Sequence, residues 1–488
     1  MARLNIVGFE TGDLTECYSS SGSASVQSGT KRSGLYALQM PNLVSGSAAV
    51  AVAGLNAASG IAALLNTAFV SISFYIYASS GDDVGYGTDI FKIYSQSGLE
   101  MVHLQMSSSA IYLQYFNSSN GIASVGSSQP ITSLFNTWIQ VEIAIANSNA
   151  SGGGSATIQW RVNGGETQVA FGQIRSAPDY IGRFSFEADS KSPAYFIDDV
   201  VIDSSGSLFP GPGQINRLTP NAAGQSVSMT AGTGTTFAEV DDFPHDGDTT
   251  YVKGTINGQS FYANVTDAVA SGVQEIIKVI KPLAIVRDEG GTSNIFVRVL
   301  DSPNSEISGA FNASTTYTPI AFMAPDRPSQ PGVDWTTTVL DNVQIAAGMS
   351  ASVASRYTAL CIMVESVRAP ASITGLTVLY GSFTRVGPNN PTWILMIFGA
   401  AHGMNFYQIR TTAGGTLIYQ ATGTDGTNVT LDISYNAVGM INGTNNLQLF
   451  VSNDGGSTYA DPYDFSVLRD DIPPSAPTSI STTPNPVV

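Results

Sequence analysis

Apolar and polar residues alternate with a period of two along most of this chain. Successive side chains of a β-strand point to opposite faces of its sheet, so the pattern predicts strands with one buried face. Turn-forming clusters such as Ser79–Asp83 and Asn117–Gly121 follow the strands at short intervals. Short strands at such spacing are typical of β-sandwiches and jelly rolls. The clearest predicted strands are 69–77, 90–94, 111–115, 138–145 and 156–162.

The segment Gln274–Lys281 fits either one or two helical turns or a strand. Its β-branched residues and the following Pro282 favour the strand. Val162–Gly165 predicts a tight hairpin, because its glycines supply the positive φ that such turns need. We therefore predict an all-β fold of tandem antiparallel β-sandwich domains, namely a jelly roll, a second sandwich and an Ig-like module.

Breaks in composition predict the domain boundaries. A stretch rich in Gly, Pro and Ser at 204–213 is typical of a linker, and Ala369–Ser372 opens a further block of strands. Five prolines after residue 472 predict an extended or disordered end. The predicted division is a jelly roll at 1–210, a second sandwich at 211–368, an Ig-like or fibronectin-like sandwich at 369–472 and a Pro-rich C-terminal arm at 473–488.

Composition argues against two classes of partner. The 488 residues carry only 12% charged side chains and a formal net charge of −17. Nucleic-acid binding depends on Lys and Arg, so no nucleic-acid partner is expected. The most apolar run, Trp393–Ala401, is far shorter than the roughly 20 residues of a membrane-spanning helix. No membrane insertion is therefore expected.

The cysteines and the first residues bear on the compartment. Cys17 and Cys361 are far apart in sequence and are predicted to be reduced and unpaired, unlike the clustered cysteines of a secreted disulfide framework. Residues 1–10 lack the pattern of a secretion signal, although the rest resembles an extracellular β-protein in composition. A virus particle, assembled in host cytoplasm and released by lysis, would combine these properties.

Two groups of motifs resemble known families. The first group resembles concanavalin-A-like, laminin-G-type jelly rolls and comprises Val7–Gly12, Asn136–Ile143 and Tyr195–Asp203. The second resembles a pattern of tailed-bacteriophage virion proteins, in which it also follows a lectin-like sandwich, and comprises Thr219–Gly224, Val240–Val252 and Pro331–Thr336. This resemblance implies a non-enzymatic structural protein displayed on the head, neck or tail of a phage particle.

The same resemblance implies the partners. Other virion proteins of the capsid, neck or tail would hold the chain, which would stabilise the particle or adhere to the host surface. A homo-oligomer is expected, with a trimer favoured, because particle appendages follow the symmetry of their mount. Three alternatives stay open: a receptor-binding lectin for host glycans, a polysaccharide depolymerase and a cellular adhesin.

Candidate catalytic residues are few. The three histidines, His103, His245 and His402, lie in different blocks without a nucleophile motif, and His103 is expected to be structural. Jelly-roll glucanases carry three alternating acids on one strand, and the nearest match is Glu187-Ala188-Asp189. Lys191 stands where the third acid would be. We therefore predict no enzymatic activity.

A structural calcium ion is the one cofactor considered. Jelly rolls of carbohydrate-binding modules often hold calcium between an N-terminal acid and an acid of the last strand, and that resemblance implies Glu10 and Asp199 as ligands. Capping of turns would explain these carboxylates equally well. Adjacent Asp198 and Asp199 are expected to face opposite sides of their strand.

Aromatic side chains are the candidates for binding sugars. An exposed ring platform is the usual sugar site, but the alternation predicts that most of these rings build the core. The candidates are Tyr75, Tyr77, Tyr112, Tyr115 and Trp138. Ser452–Tyr459 resembles the Asp-box hairpin of sialidase-type propellers, and a single copy predicts a turn only.

Overall fold

The chain forms two compact units, residues 1–368 and 369–488. None of the helices in the described ranges is long and apolar enough to span a membrane. The structure is a computed structural model that describes residues 3–43, 46–54, 69–79, 87–132, 134–146, 156–174, 181–189, 194–204, 206, 209–211, 213–232, 234, 236–267, 275–290, 294–302, 305–312, 314–350, 354–368, 376–379, 392–397, 406–412, 416–422, 429–434, 443–452 and 463–469.

The first part of unit 1–368 is a β-sandwich of jelly-roll type, with one 3₁₀ helix at Leu14–Glu16. Its strands are β1 (Arg3–Val7), β2 (Ser19–Ser21), β3 (Ser25–Gln27), β4 (Ala37–Met40), β5 (Ala48–Gly54), β6 (Phe69–Ala78), β7 (Thr88–Ser95), β8 (Glu100–Met106), β9 (Ala110–Phe116), β10 (Ile122–Ser124), β11 (Gln129–Pro130), β12 (Trp138–Ala146), β13 (Ala156–Val162), β14 (Gln168–Gly172), β15 (Ile181–Ala188) and β16 (Tyr195–Asp203).

These strands form two antiparallel sheets of eight. The inner sheet has the order β14-β13-β12-β6-β16-β4-β3, with β1 also paired to β16. The outer sheet has the order β10-β9-β8-β7-β15-β5-β2, with β11 also paired to β9. Phe74 of the inner sheet contacts both Phe91 and Phe186 of the outer sheet, with ring centroids 5.1 and 5.0 Å away. Burying each ring contributes about 1.5–3 kcal/mol, so this aromatic centre stabilises the sandwich.

The second part of the unit is another sandwich, with one short helix, α1 (Thr337–Leu340). Its sheets have the orders β19-β20-β27-β22-β25, with β17 paired to β27, and β18-β21-β26-β23-β24. The strands are β17 (Gln214–Leu218), β18 (Pro220–Val227), β19 (Thr230–Ala231), β20 (Val252–Gly254), β21 (Ser260–Val265), β22 (Glu275–Asp288), β23 (Asn294–Ser302), β24 (Ser305–Asn312), β25 (Thr318–Ala321), β26 (Gln344–Met349) and β27 (Ser355–Arg368).

The two sandwiches share a buried contact. Ile6 and Val201 of the inner sheet lie in one apolar cluster with Ile215, Val279 and Leu283 of the second sandwich. The segment before β17, predicted as a linker, is held on both sides: Arg3 donates to the Pro210 carbonyl, and Gly211 N donates to Glu142. The contact is apolar and hydrogen-bonded, and the two sandwiches lie within one compact unit.

Charged side chains also join the two sandwiches at this contact. The guanidinium of Arg3 makes two hydrogen bonds to Glu365, at 3.0 and 2.7 Å, and one to Asp203 at 2.7 Å. The ammonium of Lys281 donates to Asn5 Oδ1 and to the Ile6 carbonyl, both at 2.9 Å. All of these residues except Ile6 are buried polar side chains. Such charges are tolerated inside a protein only when they are paired and hydrogen-bonded.

Unit 369–488 also contains two antiparallel sheets, β28-β29-β32 and β31-β30-β33-β34. The buried apolar residues of β30 and β33 include Tyr407, Ile409, Leu447 and Leu449. The strands are β28 (Leu376–Leu379), β29 (Thr392–Ile397), β30 (Phe406–Thr411), β31 (Leu417–Thr422), β32 (Val429–Ser434), β33 (Gly443–Ser452) and β34 (Tyr463–Arg469). The predicted domain boundaries stay predictions, and the predicted Pro-rich arm lies outside the described residues.

Several predictions about local structure are confirmed. The chain is all-β with tandem antiparallel sandwiches, and the ambiguous segment before Pro282 belongs to strand β22. Asn163 and Gly164 have φ of 49° and 67°, and Gly165 N donates to the Val162 carbonyl at 2.8 Å, so the predicted turn is present. The hairpin is not tight, because the last pair of β13 with β14 is Trp160 with Gln168. Cys17 and Cys361 are both buried and free.

The prediction for Asp198 and Asp199 is wrong. Asp199 has a φ of 51° and lies at an irregularity in the pairing of β16 with β6. The regular alternation of the strand is therefore lost at this point. Both carboxylates contact the same loop: Asp198 accepts the N–H of Arg32 at 2.8 Å, and Asp199 accepts the Ser33 hydroxyl at 2.6 Å.

Candidate functional site

The outer sheet presents a row of polar side chains on the face opposite its core. On β7, β8 and β9 the core-facing residues include Phe91, Leu104 and Leu113. The strand register places Lys92 opposite His103, and His103 opposite Gln114. We call this surface the polar face and define it by Asp89, Lys92, Tyr94, Glu100, His103, Gln105, Tyr112, Gln114, Arg183 and Glu187.

Lys92 is at the centre of the polar face. Its ammonium lies 2.9 Å from Asp89, 3.2 Å from Glu100 and 3.5 Å from Glu187. Its side chain is 16% exposed and the three carboxylate side chains are each about 20% exposed. One cation thus holds three carboxylates from three different strands in fixed positions.

His103 extends this network towards β9. One ring nitrogen, Nδ1, lies 2.6 Å from Glu100, and Nε2 lies 2.9 Å from the side-chain oxygen of Gln114. Both nitrogens are hydrogen-bonded and the side chain is buried, which is the arrangement expected of a structural histidine. The role of His103 here is to orient two of its neighbours, Glu100 and Gln114.

The remaining contacts fix the ends of the polar face. Gln105 donates to Asp89 at 2.5 Å, and the Tyr94 hydroxyl donates to Glu187 at 2.5 Å. The guanidinium of Arg183 lies 4.1 Å from the centre of the Tyr94 ring, a cation–π geometry. The Nε atom of Arg183 has no hydrogen-bond partner among the described residues. The ends of the polar face are therefore an amide–carboxylate pair and a tyrosine–carboxylate pair, each held by a hydrogen bond.

The charges of the polar face reinforce one another. Burial would lower the pKa of Lys92, but its hydrogen bond to Asp89 and the surrounding carboxylates raise the pKa above the ordinary value. Burial likewise opposes the shift at Glu100, whose pKa is lowered by His103 and Lys92. The pKa of His103 is raised, against burial, by the hydrogen bonds to Glu100 and Gln114. The charged forms of Lys92 and Glu100 are both favoured at neutral pH.

Three residues of this network have side chains of the kind that bind metal ions. Asp89, Glu100 and His103 each offer a ligand atom, and these atoms lie within 4.8 Å of one another. The Lys92 ammonium already contacts both carboxylates, at 2.9 and 3.2 Å. A divalent cation at this place would have to displace a lysine, so the geometry favours an internal ion pair over a metal centre.

The predicted calcium ligands lie elsewhere in the sandwich. The Glu10 carboxylate accepts the N–H groups of Leu35, at 2.9 and 3.0 Å, and of Tyr36 at 3.3 Å. Asp199 accepts the N–H of Ile215 at 2.6 Å and a bond from Arg32. Burial raises the pKa of Glu10 to about 8. Both carboxylates have hydrogen-bond donors of the protein, and calcium binding by them stays a prediction.

The five candidate rings divide into four settings. Tyr115 is buried in the core of the sandwich. Tyr75 is buried on the opposite face of the inner sheet, with the Arg32 guanidinium 3.4 Å from its ring centre. Tyr112 is half-buried on the polar face. Tyr77 and Trp138 are half-buried on the inner sheet, with ring centroids 5.6 Å apart. The expectation that most of these rings build the core is therefore wrong, since only Tyr115 does so.

Other predicted residues do not form a site. Glu187 belongs to the polar face, but Asp189 is exposed beyond the end of β15. His245 is half-buried, and its Nδ1 is buried without a partner among the described residues. Its ring lies 5.7 Å from that of Tyr317, which covers it. Lys191, His402 and most of the Asp-box segment lie outside the described residues.

The centre of the polar face was missed by reasoning from sequence. Asp89, Lys92, Gln105 and Gln114 were not predicted as site residues. Their signal is present, since they occupy the polar positions of three consecutive alternating strands. Only the strand register, which the alternation does not specify, shows that these positions are neighbours.

Comparison with known proteins gives likenesses of fold alone. No known protein family and no curated protein matches the sequence. A carbohydrate esterase of the Shiga toxin-encoding bacteriophage phi24B has 15% identity and a TM-score of 0.31, covering 41% of this chain and 98% of its own. The cellulose induced protein Cip1 has 14% identity and a TM-score of 0.29, covering 41% and 97%. The receptor binding domain of botulinum neurotoxin mosaic serotype C/D has 12% identity and a TM-score of 0.30, covering 73% and 97%.

Proposed function

We propose that the chain is a non-enzymatic, glycan-binding structural protein carried on the surface of a bacteriophage particle. The polar face is the observation that supports glycan binding. Carboxylates, amides and tyrosine hydroxyls are the groups that hydrogen-bond to sugar hydroxyls. Here ion pairs and hydrogen bonds fix them before any ligand arrives, which reduces the entropy lost on binding.

The charge balance of the polar face favours an uncharged glycan. Asp89, Glu100 and Glu187 surround the Lys92 ammonium, so its positive charge is already balanced. The chain as a whole has a formal charge of −17. An acidic polysaccharide would be repelled by this field, whereas a neutral one would meet no penalty.

The same contacts support a binding role over catalysis. A general acid or base needs a proton position directed at the substrate. In the polar face, Glu100 contacts His103 and Lys92, while Glu187 accepts from Tyr94. These hydrogen bonds and ion pairs fix the acidic and basic side chains relative to one another.

The virion setting rests on the sequence resemblance described above. The motif Val240–Val252 and its neighbours resemble tailed-bacteriophage virion proteins. Two sandwiches joined by a buried apolar contact suit an adhesive appendage, because the contact resists their separation. The proposed partners are other capsid, neck or tail proteins, copies of this chain in a symmetric oligomer, and a host surface glycan.

Two experiments test this proposal. Glycan-array binding of the full chain should give signals for uncharged oligosaccharides and none for those rich in uronic acid or sulfate. Binding confined to acidic glycans, or release of shortened oligosaccharides, would contradict the binding role. Cryo-electron microscopy of the parent particle should show density for the chain at symmetric positions, and intact particles lacking it would contradict the virion setting.

A further inference from the structure

Three aromatic side chains lie side by side on the inner sheet, on the face turned away from the core of the first sandwich. Strand pairing places Trp138 opposite Tyr77, and Tyr77 opposite Phe196. The ring centroids are 5.6 Å apart for the first pair and 5.9 Å apart for the second. All three rings are half-buried. We call this group the aromatic row.

The aromatic row breaks the pattern of the sheet around it. An outward-facing strand position is normally polar, as on the polar face. Elsewhere on the same inner-sheet face, the apolar side chains Ile6 and Val201 are covered, since they lie against the second sandwich. The aromatic row has no such cover among the described residues. Apolar surface left partly exposed on a sheet face is the kind of surface at which proteins bind partners and ligands.

The described neighbours of the aromatic row include uncharged polar side chains. Gln39 of β4 pairs with Phe196, and a charged group, Arg32, lies farther along the same face over the ring of Tyr75. Gln140 is two residues along β12, and its amide is held by the Ser73 hydroxyl at 3.1 Å. A surface of rings bordered by amides and a hydroxyl matches a ligand with apolar faces and hydroxyl edges.

We propose that the aromatic row is a second carbohydrate-binding site, which takes consecutive pyranose rings of an uncharged polysaccharide. The C–H groups on one face of a pyranose can lie on an aromatic ring, while the tyrosine hydroxyl and the indole N–H can bond to its hydroxyls. The three rings are spaced by adjacent strands and tilted by 53° and 66° from one another. Rings tilted in this way fit a polysaccharide in which each sugar ring is rotated relative to the one before it.

This inference rests on the proposed function for its ligand class, but it uses a different sheet and different residues. The aromatic row lies on β6, β12 and β16, and the polar face lies on β7, β8, β9 and β15. A protein with both sites would hold one polysaccharide at two places, and the avidity would exceed either affinity.

The test is affinity electrophoresis of the full chain in gels containing laminarin, xyloglucan, galactomannan or dextran. Trp138→Ala and Tyr77→Ala should each weaken retention by about tenfold in at least one gel. Phe171→Ala is the matched control, because Phe171 is a 74% exposed ring on β14 of the same sheet. The control should leave retention unchanged.

Folding and oligomer formation are checked in parallel. Trp138→Phe keeps a ring and should retain most of the binding, which a merely unfolded variant would not. If Trp138→Ala leaves retention unchanged in every gel, or if Phe171→Ala weakens it equally, the inference is overturned. It is also overturned if Trp138→Ala changes only the sedimentation of the protein, since the row would then be a contact between copies.

The inference and the proposed function can fail separately. The double variant Gln105→Ala/Gln114→Ala removes two amides of the polar face and leaves the aromatic row intact. If that variant loses binding and Trp138→Ala does not, the second site is refuted and the polar face stands. If only Trp138→Ala and Tyr77→Ala lose binding, the aromatic row stands and the proposed role of the polar face is refuted.

Discussion

Two networks of ion pairs in unit 1–368 differ in how deeply they are buried. On the polar face, Lys92 holds three carboxylates, with side chains 16–21% exposed. Between the sandwiches, Arg3 holds Asp203 and Glu365, with side chains only 1–3% exposed. Burial thus separates their roles, since only the first network can meet a ligand. The second can contribute only to the association of the two sandwiches.

The largest expected effect concerns the buried network. Arg3→Leu would leave Glu365 and Asp203 without their cation, and we expect it to lower the free energy of unfolding by about 3–5 kcal/mol. Arg356→Ala is the control, because its partners Asp248 and Glu289 are partly exposed. It should cost no more than about 1 kcal/mol. Urea denaturation measures both, and equal losses would contradict the contrast.

Glu10 should make stability depend on pH. Burial raises its pKa to about 8 in the folded chain, against an ordinary value of 4.5. Between these values the folded chain holds a proton that the unfolded chain has lost, so stability falls as the pH rises. Glu10→Gln removes this loss and should be more stable than the original protein at pH 8.5, by roughly 1–3 kcal/mol. Thermal unfolding at pH 5 and 8.5 measures the difference.

Adding calcium to the same unfolding experiment tests whether Glu10 and Asp199 bind the ion. If Glu10 and Asp199 bind calcium, adding it at pH 8.5 should raise the unfolding temperature of the original protein and leave that of Glu10→Gln unchanged. An equal rise in both proteins, or no rise in either, would contradict calcium binding at these residues. Chelation with EDTA should reverse a specific effect.

The smallest change in stability is expected on the polar face, at His103. The pKa of His103 is raised in the folded chain by Glu100 and Gln114, although burial opposes this. Its stabilising contribution is therefore full below the unfolded value of 6.5 and is lost as the pH rises through the folded value. His103→Gln should cost more stability at pH 5.5 than at pH 8.5, with a difference under about 1 kcal/mol. The opposite sign would show that His103 is held in its neutral form.

Sequence reasoning identified the fold better than the site. Alternation alone predicts strands such as 69–77 and their sandwich class, because the period of two is a local property. The pairing of Lys92 with His103 depends on strand register, which no local pattern specifies. The irregularity at Asp199 likewise changes the direction of one side chain without any local signal. Features that depend on how neighbouring strands pair were therefore either not predicted or predicted wrongly.

The aromatic row illustrates the same limit. Tyr77 and Trp138 were recognised as candidate rings, but Phe196 was not. Their adjacency follows from three strands that are far apart in sequence, β6, β12 and β16. Only tertiary structure shows which apolar alternate positions face a core and which face solvent.

The central claim is that the polar face binds an uncharged glycan, and calorimetry tests it most directly. The titration uses the uncharged oligosaccharide that gives the strongest array signal. Gln105→Ala/Gln114→Ala should weaken binding by about thirtyfold, since two hydrogen bonds are lost. Gln159→Ala, a half-buried amide on the inner sheet, should bind as the original protein does. Unchanged affinity in the double variant, or an equal loss in the control, would contradict the claim.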